Sequence, residues 1–173
     1  ETLWPFLERQ VDAAIAHWHE PDRGIWEVRG EPQHFTSSKV MCWVALDRGA
    51  KLAELHGEPD YAEKWAALAE EIRADVLAHG VNDKGVFTQT YGGDSLDASL
   101  LLVVLLRFLP PTDPRVRAKV LAIASDLTQH GLVLRYRTDT TDDGLSGEEG
   151  TFTICSFWLV SALVEIGEVR RAR

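Results

Sequence analysis

The stretch SSKVMCWVALDRGAKLAELHGEPDYAEKWAALAEEIRADVLAHG, residues 37–80, decides the fold class. It contains two long apolar patterns at helical spacing, split by Gly57-Glu58-Pro59-Asp60. The first predicts a helix over about residues 37–56, with Ser37 or Thr36 as N-cap and Gly57 as the stop. The second predicts a helix over about 61–79 that ends at Gly80. So short a link between two helices makes them antiparallel neighbours.

The same pattern continues on both sides. Leu3, Phe6, Leu7, Val11, Ala14, Ile15 and Trp18 predict a helix over 2–19. Residues 95–109 predict a fourth helix, apolar nearly all round from Leu100 to Leu106 and therefore buried on several sides. Asp113 as cap and Pro114 at the first helical position open a fifth, over 114–129. A sixth covers 153–171. The fourth and fifth join through the short Pro110-Pro111-Thr112-Asp113. The expected fold is all-α, built of antiparallel helical hairpins.

The remaining connections, 19–36, 80–94 and 130–152, are long. If helix direction alternates, all three long loops fall at one end of the scaffold and both short links at the other. Long loops gathered on one face of rigid helices are where binding and catalysis concentrate.

Composition bounds the function. The 173 residues suit one domain, and 45% hydrophobic with 26% charged residues is ordinary for a globular chain. A net charge of −9 without a Lys/Arg cluster argues against nucleic-acid binding. No apolar run approaches the ~20 residues of a membrane span, and no signal peptide is visible, so the expected location is cytoplasmic. Cys42 and Cys155 sit in apolar helical patterns and are expected to be buried thiols. The only Met is Met41, which suggests a truncated, processed or excerpted chain.

Each long loop carries candidate chemistry. The first contains Trp26-Glu27. An indole beside a carboxyl can partly desolvate it and keep it protonated, as a general acid requires; the reading that spacing alone favours is that Trp26 packs on the scaffold and Glu27 is a solvated loop charge. In the second loop Phe87, Gln89 and Tyr91 alternate as a short extended piece. There Asp94 or Ser95 reads as a cap of the fourth helix and Asp97 as part of its first turn. The third offers Arg135 and Tyr136, a fork donor and an aromatic face suited to sugar hydroxyls, and then Glu148-Glu149 shortly before the sixth helix. That doublet reads as dipole partners or as catalytic carboxylates. Two carboxyls facing one cleft are what glycoside hydrolysis needs.

Four separated motifs resemble glycoside hydrolase family 15, in its glucoamylase and bacterial trehalase-like branches. They are Gly24-Ile25-Trp26-Glu27-Val28-Arg29-Gly30 with the following His34 to Arg48, Asp94 to Leu101, Leu134-Arg135-Tyr136-Arg137, and Gly147-Glu148-Glu149-Gly150 continuing to Trp158. The resemblance implies an (α/α)6 barrel of twelve helices, of which residues 1–173 would be a partial catalytic domain, its C-terminal half. It implies inverting hydrolysis of α-glucosidic bonds, with Glu27 as acid and Glu149, or else Glu148, as base. Arg135 and Tyr136 would bind the sugar, Trp26 would line the pocket, and Arg29, His34 and Tyr91 are further binding candidates. No cofactor or metal is implied. The partners expected are an α-glucoside (trehalose, maltose or an α-glucan) and either the N-terminal half of the barrel or a second copy closing the ring. Inversion predicts carboxyls about 6.5–9.5 Å apart. A second reading is a non-catalytic carbohydrate-binding or helical interaction domain. A third, a helical repeat scaffold, lacks a shared repeat sequence.

Overall fold

The hairpin of residues 37–80 forms almost as read. In the computed structural model, which describes residues 3–139, 141 and 150–173, α2 spans Thr36–His56 and α3 Pro59–His79. Trp43, Leu46 and Ala53 from α2 meet Trp65, Ala69, Ile72 and Val76 from α3, all nearly inaccessible to water. Phe35, rather than Thr36 or Ser37, holds the N-cap position of α2, without a side-chain cap bond. Thr36 and Ser37 are buried instead, and the Thr36 N–H donates to Gln89 O at 2.9 Å, so the second loop satisfies a helix-start donor.

Helix α1, Trp4–His17, lies against α2. Trp4 stacks on His56 with ring centroids 4.3 Å apart and meets Tyr61 edge-on, pinning the start of α1 to the turn between α2 and α3. The fourth helix is shorter than expected. A 3-10 turn, Ala98–Leu101, runs into a single α-turn, α4, Leu102–Leu105. Asp97 is the cap, its carboxylate accepting from the Ser99 N–H, while its backbone stays extended (φ −143°, ψ 131°). Ser95 and Asp94 do not cap: Ser95 O accepts from the Gln89 N–H at 2.8 Å, which draws this segment alongside the second loop. Arg107, at φ +62°, ends the run before residue 109. The expected burial holds, with Leu100, Leu101, Val103 and Val104 all in the core.

Helix α5, Pro114–Asp126, begins as expected, with Asp113 Oδ1 accepting from the Arg115 N–H at 2.9 Å. It stops before residue 129 because Thr128–Gln129 (β1) pairs antiparallel with Leu132–Val133 (β2). Helix α6, Thr153–Glu165, packs on α4 and α5. It ends short of residue 171, where Gly167 turns at φ +82°. Cys155 is buried and Cys42 half-buried, and neither forms a disulfide. Among the described residues no helix is long and apolar enough to cross a membrane.

Candidate active site

The three long loops meet. Asp22 and Gln33 pair through two 2.8 Å backbone bonds and close the first loop into a tight excursion. The Asp22 carboxylate holds it from inside, accepting from the Gly24 N–H and from Ser38 Oγ of α2. Arg23 donates to the carbonyls of Val28 and Gly30 across the same excursion. The first loop joins the second where Phe35 bridges Thr90 and where Tyr91 N–H donates to His34 O at 3.0 Å. The second joins the third through Ala98 N–H to Arg135 O at 2.8 Å.

Trp26 stands at this junction, half-buried. Its Nε1–H donates to both oxygens of Asp97 at 3.0 Å. Its ring meets Phe152 edge-on at 5.8 Å and lies 6.3 Å from Trp158 of α6. The Arg135 guanidinium sits 5.5 Å from the Trp26 ring, 5.3 Å from Tyr136 and 5.8 Å from Phe152. Such cation–π contacts orient a planar fork donor without consuming its N–H groups. Tyr136 is buried. Trp26, Arg135 and Tyr136 thus form one aromatic and cationic cluster.

Glu27 follows Trp26 on the chain and has φ +51°, an uncommon conformation for a residue with a side chain. Its N–H donates to Gly24 O at 3.2 Å. The desolvation expected from the Trp26 ring is not met in this chain: Glu27 is exposed. Arg29 and His34 are also exposed.

Tyr91 and His34 assemble elsewhere. Their rings stack at 5.7 Å, and Tyr91 leans on His79 of α3 at 5.5 Å. The Tyr91 hydroxyl donates to Asp75 Oδ2 at 2.8 Å, and burial and this bond push its pKa above the ordinary tyrosine value. Tyr91 is therefore tied to α3, while Trp26, Arg135 and Tyr136 share the other cluster. Glu148 and Glu149 lie outside the described residues. The residues flanking that segment are anchored at the junction: Thr141 Oγ1 donates to Gln89 Oε1 at 3.0 Å, and Phe152 touches Trp26. Among the described residues no group of three His, Cys, Asp or Glu side chains gathers as a metal ion would need.

Three buried charges among the described residues escaped the sequence reading, one of them Lys39, whose Nζ donates to Glu20 O. Asp97 is 1% exposed. Lys119 of α5 is equally buried, and its Nζ has no hydrogen-bond partner among the described residues. Burial lowers the Lys119 pKa to about 7, against the opposing pull of Asp97. A signal for Lys119 was present: it lies three residues after Val116 and four before Ile123, on the apolar face of α5.

A family model described as glycosyl hydrolases family 15 matches residues 1–171. The chain belongs to glycosyl hydrolase family 15. Its family relatives include proteins named trehalase from Mycobacterium tuberculosis, 78% identical, and Mycolicibacterium smegmatis, 75% identical, each over all 173 residues of this chain. It covers 25% and 26% of those relatives, so it spans about a quarter of their length. A trehalase of Thermoplasma volcanium is 37% identical over 99% of this chain and 27% of its own. Among solved structures, a wild-type glycosidase superposes with TM-score 0.81 at 27% identity, covering 94% of this chain and 42% of that one. A glycosidase variant in complex with glucose gives TM-score 0.80 at 26% identity, with the same coverage. The fold is thus all-α and of (α/α)6-barrel type, with six α-helices among the described residues.

Proposed function

We propose that residues 1–173 are the C-terminal half of a family 15 catalytic domain that hydrolyses α-glucosidic bonds with inversion, and that trehalose is the substrate. The observation that carries this reading is the meeting of three loops around Trp26. The Trp-Glu motif, the Arg135–Tyr136 pair and the two anchors of the Glu148-Glu149 segment all converge there. The names of the relatives, at 75–78% identity, favour trehalose over other α-glucosides.

The chemistry divides between the loops. Glu27 donates a proton to the glycosidic oxygen as the bond to the anomeric carbon breaks. Glu149 removes a proton from a water that attacks that carbon from the opposite face; Glu148 is the alternative base. Arg135, Tyr136 and Trp26 hold the reacting glucose, and Arg29, His34 and Tyr91 contribute outer contacts. The apolar faces left open on α1 and α6 receive the other helices of the ring, or a second copy of this chain.

The test is hydrolysis of trehalose by the complete protein carrying Glu27→Gln, Glu148→Gln or Glu149→Gln. Loss of a general acid or base costs roughly 10²–10⁴-fold in kcat. Glu27→Gln and one of the doublet variants should fall in that range, and the other doublet variant should not. The attacked glucose should be released as the β anomer, seen by proton NMR before mutarotation. Wild-type turnover in Glu27→Gln, or release of both glucoses as the α anomer, would remove the mechanism.

A further inference from the structure

The hydrogen bonds behind Trp26 run in one direction. The Thr141 hydroxyl donates to Gln89 Oε1, Gln89 Nε2 donates to Asp97 Oδ2 at 2.9 Å, and Trp26 Nε1 donates to both Asp97 oxygens. The Ser99 N–H adds a bond to Oδ1 at 2.7 Å. Among the described residues Asp97 is thus met only by donors. An ionised carboxylate accepts all of them, whereas an amide would turn an N–H toward another donor. Because Asp97 only accepts, Gln89 must face it with nitrogen and keep its oxygen for Thr141. The chain joins all three long loops, and Gln89, Asp97 and Thr141 are all buried.

Capping alone does not require this arrangement. The 3-10 turn after Asp97 has four residues, and an exposed Ser or Asp would cap it. Burying a carboxylate is costly unless other groups compensate. Here the compensation comes from the Trp26 and Gln89 side chains and from the Ser99 N–H. Glu27 needs support from outside itself, since a left-handed conformation is strained at a residue with a side chain. The Trp26–Asp97 bond lies one peptide away from it.

We propose that Asp97 is a positioning residue: through the Trp26 indole N–H it fixes the peptide that carries Glu27, and so sets where the acid stands against the departing oxygen. This rests on Glu27 being the acid. The bond to Trp26 makes Asp97 part of the proton-delivery geometry without any contact with the sugar.

The experiment uses the complete protein and two substrates. Trehalose has a sugar leaving group that needs a proton; α-glucosyl fluoride releases fluoride with little help from an acid. Asp97→Asn should lower kcat on trehalose about 10²-fold, the usual cost of a misplaced catalytic group, with KM little changed and a far smaller loss on the fluoride. Trp26→Phe lacks the N–H and also changes the ring that holds the sugar, so it should lower activity on both substrates, but far more on trehalose than on the fluoride. The double variant should be no worse than the poorer single one, because both changes break one interaction. Equal losses on the two substrates, or losses that multiply in the double variant, would overturn the proposal. If Asp97→Asn does not fold, Trp26→Phe on the two substrates decides the question alone. Glu27→Gln separates the two ideas. Wild-type trehalose turnover in that variant ends the acid assignment, whereas a selective loss there beside equal losses in Asp97→Asn keeps the acid and removes Asp97.

Discussion

Lys119 shows how one side chain can make stability depend on pH. It is fully buried, and burial brings its pKa from 10.5 to about 7. Between those two values the unfolded chain binds a proton that the folded chain does not. Stability therefore rises with pH across that window, by up to about 1.4 kcal/mol per pH unit, and its Lys119 contribution is flat below pH 7, where both states are charged. Lys119→Met removes the titrating group. The stability of the wild type minus that of the variant, from urea unfolding, should increase by about 2–3 kcal/mol between pH 7 and pH 9. Parallel pH profiles would show that Lys119 titrates alike in both states. Any effect of Lys119→Met that does not depend on pH shifts the variant's stability by a constant and leaves the difference in slope intact.

The first loop is held by backbone geometry as much as by side chains, and Gly24 is where that geometry is tightest. Its φ is +68°, and a Cβ there would come within 2.8 Å of Phe35 Cδ1, a ring buried at the start of α2. Gly92 has the same φ, with open space around it. Gly92→Ala should cost about 1–2 kcal/mol, the strain of a left-handed alanine. Gly24→Ala adds a clash worth about 1–3 kcal/mol more. It should also lower kcat/KM on trehalose in the complete protein, because Trp26 and Glu27 follow directly. Thermal melts and kinetics of the two variants check this; equal effects would mean that Phe35 yields to the added methyl. The elements differ in how far they could be read. Gly57 and Pro59 punctuate α2 and α3, so those boundaries were clear. The apolar run Leu100 to Leu106 has no period, so nothing in it separated a 3-10 turn and one α-turn from a full helix. Gly167 was a readable stop for α6 that the apolar pattern overrode. For the candidate site, spacing alone left Glu27 and Trp26 open, and only the family motifs favoured a role. Asp97 was visible as a residue near a helix start, but its bond to Trp26 spans 71 positions, and a single sequence carries no trace of such a pairing.

The molecule as a whole leaves apolar surface uncovered on two fronts. A groove of about 720 Å³ between α1 and the C-terminal part of α2 is lined by Leu3, Phe6, Leu7, Val44, Leu52 and Leu55. It lies at the end of that helix pair opposite the long loops, so it is separate from the Trp26 cluster. The other front is the outer side of α6, where Ile154, Phe157, Val160 and Val164 are exposed while Cys155, Leu159, Ala162 and Leu163 fill the core. A helix apolar all round belongs between other elements, and contiguous exposed apolar surface marks an interaction face. In a closed twelve-helix ring both fronts would be covered, which gives a test independent of activity. Phe157 is 68% exposed in this chain. If it remained so in the complete protein, Phe157→Ala would change stability by no more than about 0.5 kcal/mol, as surface substitutions do. Buried against further helices, it should cost about 3–5 kcal/mol. Leu132, 45% exposed in β2 and on neither front, is the control: Leu132→Ala should stay within about 0.5 kcal/mol. Denaturant unfolding of the complete protein with each substitution reads the difference. A Phe157 variant as stable as the Leu132 variant would mean that α6 keeps its apolar side in water and that the ring does not close over it.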